Sequence, residues 1–190
     1  MTEEWLDEVD ETGTPTGRSV ERREAHQKGI RHRTSHVWLV RKKGGTVEVL
    51  LQKRSRTKSS FPGMYDISSA GHIPAGDTYV PSALRELSEE LGVLAQEQQL
   101  VYCGDRVICT DAVFFGEPFH DRQVSRVFLL WEDREEEAFR LQPEEVDEVR
   151  WMELDECIRQ VRENAFPNCI VPEELMMVRQ TIGRDSHADS

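Results

Sequence analysis

The sequence predicts an α/β fold, a sandwich in which a mixed β-sheet is packed by helices. Three observations carry that expectation. β-rich runs outnumber amphipathic helical patterns, the helical patterns are interspersed among them, and neither an internal repeat nor a low-complexity linker divides the 190 residues. Such a length suits one domain with a sizeable core. We therefore expect a single domain over residues 1–182 that opens with an N-terminal hairpin extension, followed by a disordered tail over residues 183–190.

The elements follow in order. In "LDEVDETGTPTGRSVER" apolar residues flank a Gly/Thr/Pro cluster, which reads as a strand, a turn and a return strand. "RREAHQKG" reads as a short helix closed by Gly29. "SHVWLVRKKGGTVEVLLQKRS" gives two β-rich runs about a Lys-Lys-Gly-Gly turn, a second hairpin. "TKSSFPGMYDISSAGHIPAGD" is dense in Ser, Gly and Pro and should be loop, with one short strand from Tyr65 to Ser69. A helix from Tyr79 to Leu91 has Pro81 in its first turn, where a missing N–H is tolerated, and Gly92 just past its end. "LVYCGDRVICTDAVFF", "QVSRVFLLWED" and "VRWMEL" read as strands, and "LDECIRQVRENA" and "PEELMMVRQTIG" as amphipathic helices.

Composition excludes several functions. No apolar run approaches the roughly 20 residues that span a bilayer, and the acidic start "MTEEWLDEVDETG" lacks the basic-then-apolar pattern of a secretory signal. We expect a cytoplasmic protein without a membrane partner. The formal net charge of -12 argues against a polynucleotide partner held by a broad basic face. A small anionic substrate is still open, because a local cation or a bound metal overrides the global field. Cys103, Cys109, Cys157 and Cys169 show no C-x-x-C pairing, which points to free thiols in a reducing compartment rather than a zinc site or a disulfide framework.

The helix over 79–91 carries the chemistry. At about 100° per residue, Glu86, Glu89 and Glu90 fall within roughly one 100° sector, while Leu84, Leu87 and Leu91 point about 140° away. The leucines should anchor the helix on the sheet, and the carboxylates should converge outward. Three like charges so close weaken a helix. One reading is a solvated acidic face. The other supplies a hard divalent cation, Mg²⁺ or Mn²⁺, which takes carboxylate oxygens and leaves positions for water and phosphate. Arg85, four residues before Glu89, is placed to pair with a carboxylate and orient it, or to form an ordinary exposed salt bridge.

At these residues the chain resembles a known family. Glycine, five residues, acid, seven residues, then Arg-Glu-apolar-x-Glu-Glu-x-Gly-apolar is the pattern of the Nudix box. It is carried here by Gly71, Asp77, Arg85, Glu86, Leu87, Glu89, Glu90, Gly92 and Val93. Only Asp77 departs, where the family usually has glutamate. The order of elements around the box is similar to the Nudix α/β/α sandwich with a mixed β-sheet. The resemblance implies that Glu86, Glu89 and Glu90, with the carbonyl near Gly71, hold Mg²⁺ or Mn²⁺, and that water attacks a small diphosphate substrate. A helix glutamate, Glu89 or Glu86, would serve as base, with Arg85 in support.

Outside the box, "EAHQKGIRHRTSHVWLV", "LLQKRSRTKSSFPGMYD" and "SSAGHIPAGD" resemble the isopentenyl diphosphate isomerase-like branch. That likeness implies metal roles for His26, His32 and His72 and diphosphate contacts from Arg54 and Lys58; surface or strand-end positions are the plainer alternative for all five. The isomerases' cysteine falls at Ala70 and their glutamate near Gln123, and neither residue replaces a proton-transfer group. Hydrolysis of a nucleotide-type or prenyl diphosphate is therefore expected, with isomerisation, or ligand binding without turnover, as alternatives. Phe114, Phe115 and Phe119 would stack on a base, line an apolar pocket or pack in the core. Monomer and homodimer are both left open.

Overall fold

The computed structural model describes residues 4–188. Its centre is β3 (His32–Lys43), whose first ten residues are all buried, as befits a strand covered on both faces. β8 (Glu117–Trp131) runs parallel to it on one side, and β7 (Val101–Phe114) continues the sheet beyond β8. On the other side β4 (Thr46–Arg54) pairs with β3 only from Val40↔Val49 to Lys43↔Thr46. The two strands then part. β6 (Ser69–His72) takes up the free edge of β3, β5 (Tyr65–Asp66) that of β4, and β9 (Val146–Glu153) closes the far edge of β4. At the fork Ser68 substitutes for the missing ladder: its hydroxyl accepts from the Leu39 N–H at 2.8 Å and donates to the Leu50 carbonyl at 2.6 Å.

The fork corrects the single strand expected from Tyr65 to Ser69, which is two strands serving different neighbours. It is also why His72 is in the sheet at all. β8 likewise begins six residues before the expected Gln123, because the polar run "EPFHDR" hides its alternation.

Each face of the sheet carries its own core. One packs Val37, Leu39, Leu50, Phe128 and Leu130 against Ala83, Leu87 and Leu91 of α2 (Tyr79–Leu91). The other packs Trp38, Val40, Leu51 and Leu129 against α3 (Leu154–Arg162) and α4 (Pro172–Ala188). This is an α/β/α sandwich. α2 has the expected bounds and ends on Gly92 in the left-handed conformation (φ 67°). Its buried stripe is not the expected leucine set, for Ala83 is buried while Leu84 is half-buried.

The hairpin of β1 (Trp5–Val9) and β2 (Pro15–Glu21) forms a separate small sheet. It packs with α1 (Arg22–Lys28) around Leu6, Val20 and Ala25, and Gly29 closes the helix as expected. α4 is helical past Gly183, into the segment expected to be disordered, and Asp189 and Ser190 lie outside the described residues. No helix among the described residues is long and apolar enough to cross a membrane.

Candidate active site

Strand alternation on β6 divides the predicted site residues into two groups. Ser69 and Gly71 face α2, whereas Ala70 and His72 face the opposite side.

On the α2 side the three glutamates have unequal surroundings. Glu89 is exposed. Glu86 is largely enclosed, and its Oε1 accepts from Arg85 Nη2 at 2.8 Å. Glu90 is 5% exposed, and its Oε2 accepts from the Ser69 hydroxyl at 2.8 Å. The cluster is therefore not the outward-facing set expected from the helical wheel. β6 lies over α2 and covers the Glu90 end of the sector. Burial, then the charge of Glu86, pushes the Glu90 carboxyl up to about 8 against the opposing Ser69 hydrogen bond. Burial likewise raises Glu86. Two enclosed carboxylates that repel each other are a donor set suited to a hard cation.

Gly71 gives Glu86 its place. A Cβ at position 71 would lie 2.3 Å from Cγ and Cδ of Glu86 and 2.5 Å from its Oε1. The residue is glycine for close approach rather than for a special backbone angle.

On the other side, His26 from α1, His32 from β3 and His72 from β6 bring ring nitrogens within 4.8 Å of one another. Among the described residues this is the one group of three or more His, Cys, Asp or Glu that gathers so closely; the glutamates of α2 do not. The His32 Nδ1–H donates to the Ile30 carbonyl at 2.9 Å, which turns Nε2 inward. Asp121 of β8 completes the group, with Oδ1 3.6 Å from His26 Nδ1 and 4.0 Å from His32 Nε2. All three of those inward atoms are buried without a hydrogen-bond partner. Burial, foremost, holds His26 down to about 3, His32 to about 4 and His72 well below the usual range, so all three are neutral imidazoles. Neutral imidazoles and one carboxylate, with orphaned atoms pointing inward, fit a transition-metal ion. Asp121 was not placed among the ligands by the sequence. Its place two residues before Gln123, on the same face of a strand, was the available signal.

Arg54 and Lys58 are engaged within the protein. Arg54 Nη1 donates to Asp66 Oδ2 at 3.1 Å, and its Nε and Nη2 donate to the Ser60 carbonyl. Lys58 pairs with Glu145. Both cations nonetheless act on Glu90 through space, and Lys58 also on His72. Phe119 stacks on His26 with centroids 4.4 Å apart, Phe114 packs on Phe119 and Phe61, and Phe115 at the hairpin tip is exposed.

Asp77 is exposed, and its backbone oxygen accepts from Arg33 Nη2 at 3.0 Å. Its charge reaches Arg85 only at a distance, and Arg85 bonds to Glu86 instead. We expect Asp77→Glu, one methylene longer, to draw Arg85 toward position 77 and to leave turnover unchanged or raise it, as measured by kcat/KM. A folded but inactive variant would show that the site is built around the shorter side chain.

Comparison with known proteins bears on this arrangement. The NUDIX domain family model matches residues 30–172. The chain is 36% identical over 159 residues to an uncharacterized Nudix hydrolase of Clostridium acetobutylicum, covering 84% of this chain and 74% of that protein. It is 43% identical over 160 residues to Nudix hydrolase 3 of Arabidopsis thaliana, covering 82% of this chain but only 20% of that longer protein. An isopentenyl-diphosphate Delta-isomerase of Cereibacter sphaeroides is 31% identical over 145 residues, 76% of each chain. Among solved structures, one from Deinococcus radiodurans superposes with a TM-score of 0.63 at 20% identity, covering 93% of this chain and 98% of that one.

Proposed function

Because the chain belongs to the NUDIX domain family, we propose that it hydrolyses the diphosphate linkage of a small nucleotide-type or prenyl substrate with Mg²⁺ or Mn²⁺. The observation that carries this reading is the enclosed pair Glu86 and Glu90, two mutually repelling carboxylates whose hydrogen bonds among the described residues come from Arg85 to Glu86 and from the Ser69 hydroxyl to Glu90. Glu86, Glu89, Glu90 and the carbonyl near Gly71 would hold the ion. When bound, it supplies charge neutralisation for phosphoryl transfer.

The protein's own groups do the rest. Ser69 fixes Glu90, and Gly71 gives Glu86 room. Glu89 is exposed, and its nearest cation, Arg85 Nε, is 4.0 Å away, so it is the carboxylate free to take a proton from the attacking water. The water oxygen attacks phosphorus, and the bond to the bridging oxygen breaks. Arg54 and Lys58 add positive potential where the phosphates would lie; direct contact requires them to exchange Asp66, Ser60 and Glu145 for substrate oxygens. His26, His32, His72 and Asp121 would hold a second ion. Their imidazole set suits Mn²⁺ better than Mg²⁺.

The test is a panel of nucleoside diphosphate derivatives, nucleoside triphosphates, coenzymes and prenyl diphosphates incubated with each metal, the products being identified by mass. Metal-dependent release of a monophosphate is expected. Binding without any product would overturn hydrolysis in favour of a ligand-binding module. Isopentenyl diphosphate in deuterated water is the decisive member of the panel. Ala70 carries no transferable proton, and the Gln123 amide oxygen is occupied by Thr34. Deuterium in dimethylallyl diphosphate would therefore refute the choice of hydrolysis over isomerisation.

A further inference from the structure

Behind the imidazole group a line of polar side chains runs along one face of β3 and β8. It begins at Glu174 in the first turn of α4, which is 2% exposed and fully engaged. Glu174 Oε1 accepts from His36 Nδ1 at 2.9 Å and Arg106 Nη1 at 2.6 Å, and Oε2 accepts from Trp38 Nε1 at 3.2 Å. A carboxylate only accepts, so His36 Nδ1 carries the proton. His36 Nε2 then lies 3.4 Å from Thr34 Oγ1.

The Thr34 hydroxyl reaches Gln123 Oε1 at 3.1 Å and Ser125 Oγ at 2.6 Å, and the Ser125 hydroxyl reaches the same Gln123 oxygen at 3.5 Å. The amide oxygen thus lies on the hydroxyl side. The amide N–H₂ is therefore turned the other way, toward Asp121 two residues along the same strand face, whose charged form Gln123 favours against the burial that opposes it. Asp121 Oδ1 itself has no hydrogen-bond partner and faces His26 and His32.

We propose that Thr34 and Gln123 are positioning residues for the imidazole pocket. Anchored through His36 to Glu174, they decide which oxygen of Asp121 faces the three histidines and so set the pocket's affinity for a divalent transition-metal ion. The proposal rests on reading His26, His32, His72 and Asp121 as the metal-holding group. None of the four anchoring groups touches substrate in it. Their effect passes through Asp121.

The experiment titrates the metal-free full chain with Co²⁺ and follows the visible absorption of the imidazole-bound ion, beside thermal melts of each metal-free variant. The wild type should bind, and His72→Ala should lose the band. Thr34→Val, which keeps the shape but removes the donor, should weaken Co²⁺ binding about tenfold to a hundredfold, and Thr34→Ser should restore it. Gln123→Glu should go the other way. It sets a second carboxylate beside Asp121, so the metal-free melting temperature should fall while Co²⁺ binding tightens, a gain that poor folding does not produce. A wild type that binds no Co²⁺ would overturn the pocket reading and this proposal with it. Wild-type binding that is lost in His72→Ala but unchanged in Thr34→Val and Gln123→Glu would overturn the positioning proposal alone.

Discussion

Replacing Glu90 with glutamine is expected to cut metal-dependent turnover by on the order of a hundredfold or more and, in the same variant, to stabilise the metal-free protein at alkaline pH. The two effects share one cause. Glu90 is buried, and its carboxyl is pushed up to about 8 by that burial and then by the Glu86 charge. An unfolded chain releases the same proton near 4.5, so between about 4.5 and 8 the folded state holds more proton than the unfolded one. Linkage then makes this carboxyl's contribution to the stability of the metal-free protein fall as pH rises through that window, by up to a few kcal/mol. Glutamine has no proton to lose, and it keeps a group of similar shape beside Ser69. Thermal melts with chelator at pH 5.5 and pH 8 should show the variant gaining stability relative to the wild type between them, because the depressed histidines, which act in the opposite direction below about 6.5, are common to both. Glu89→Gln is the comparison: exposed on the helix surface, it should lose turnover without the stability change. Equal pH profiles for wild type and Glu90→Gln would show that another group governs the alkaline loss, and unchanged turnover would remove Glu90 from the metal site.

Gly71→Ala should be nearly as damaging to activity, through a single methyl group. Its Cβ would stand 2.3 Å from two carbons of Glu86. No real contact is that short, so the Glu86 side chain must leave its position. The side chain is flexible enough to move, and the expected stability loss is about 1–3 kcal/mol, with the fold retained. Turnover should fall by roughly a hundredfold, since the displaced group is one of the proposed ligands. Combining Gly71→Ala with Glu86→Gln should give little further loss beyond Glu86→Gln alone, because both act on the same side chain. A fully active Gly71→Ala enzyme would show that Glu86 is not required where it stands. Additive losses in the double variant would assign Gly71 a separate task, such as its carbonyl.

The bounds of α2 were legible in the chain because each signal is local: Pro81 in the first turn, Gly92 after the last, and an apolar stripe at helical spacing. The same holds for both early hairpins and for α1 with its Gly29 cap. The Nudix box pointed to the helix that bears the acids, and the branch resemblance picked out three histidines that the structure does bring together.

Other features depend on which distant segments lie side by side. A helical wheel gives the angle of Glu90 but not what covers it; β6, pairing with β3, places Ser69 over that carboxyl and buries a group that the wheel alone would leave exposed. The fork between β3 and β4 is set by a loop serine, Ser68, bridging two backbones, and strand periodicity carries no trace of it. Asp121 joins His26, His32 and His72 only because β8 runs parallel to β3 in the register His32↔Gln123, a long-range pairing between segments some ninety residues apart. Arg54 and Lys58 were marked by sequence as phosphate contacts, yet the fold sets Asp66 and Glu145 beside them first. Residue types and local spacing determined which groups the protein has for its chemistry. Register and burial decided which of them are neutral, which are paired, and which face one another, since each of these depends on the dielectric and the partners that only packing supplies.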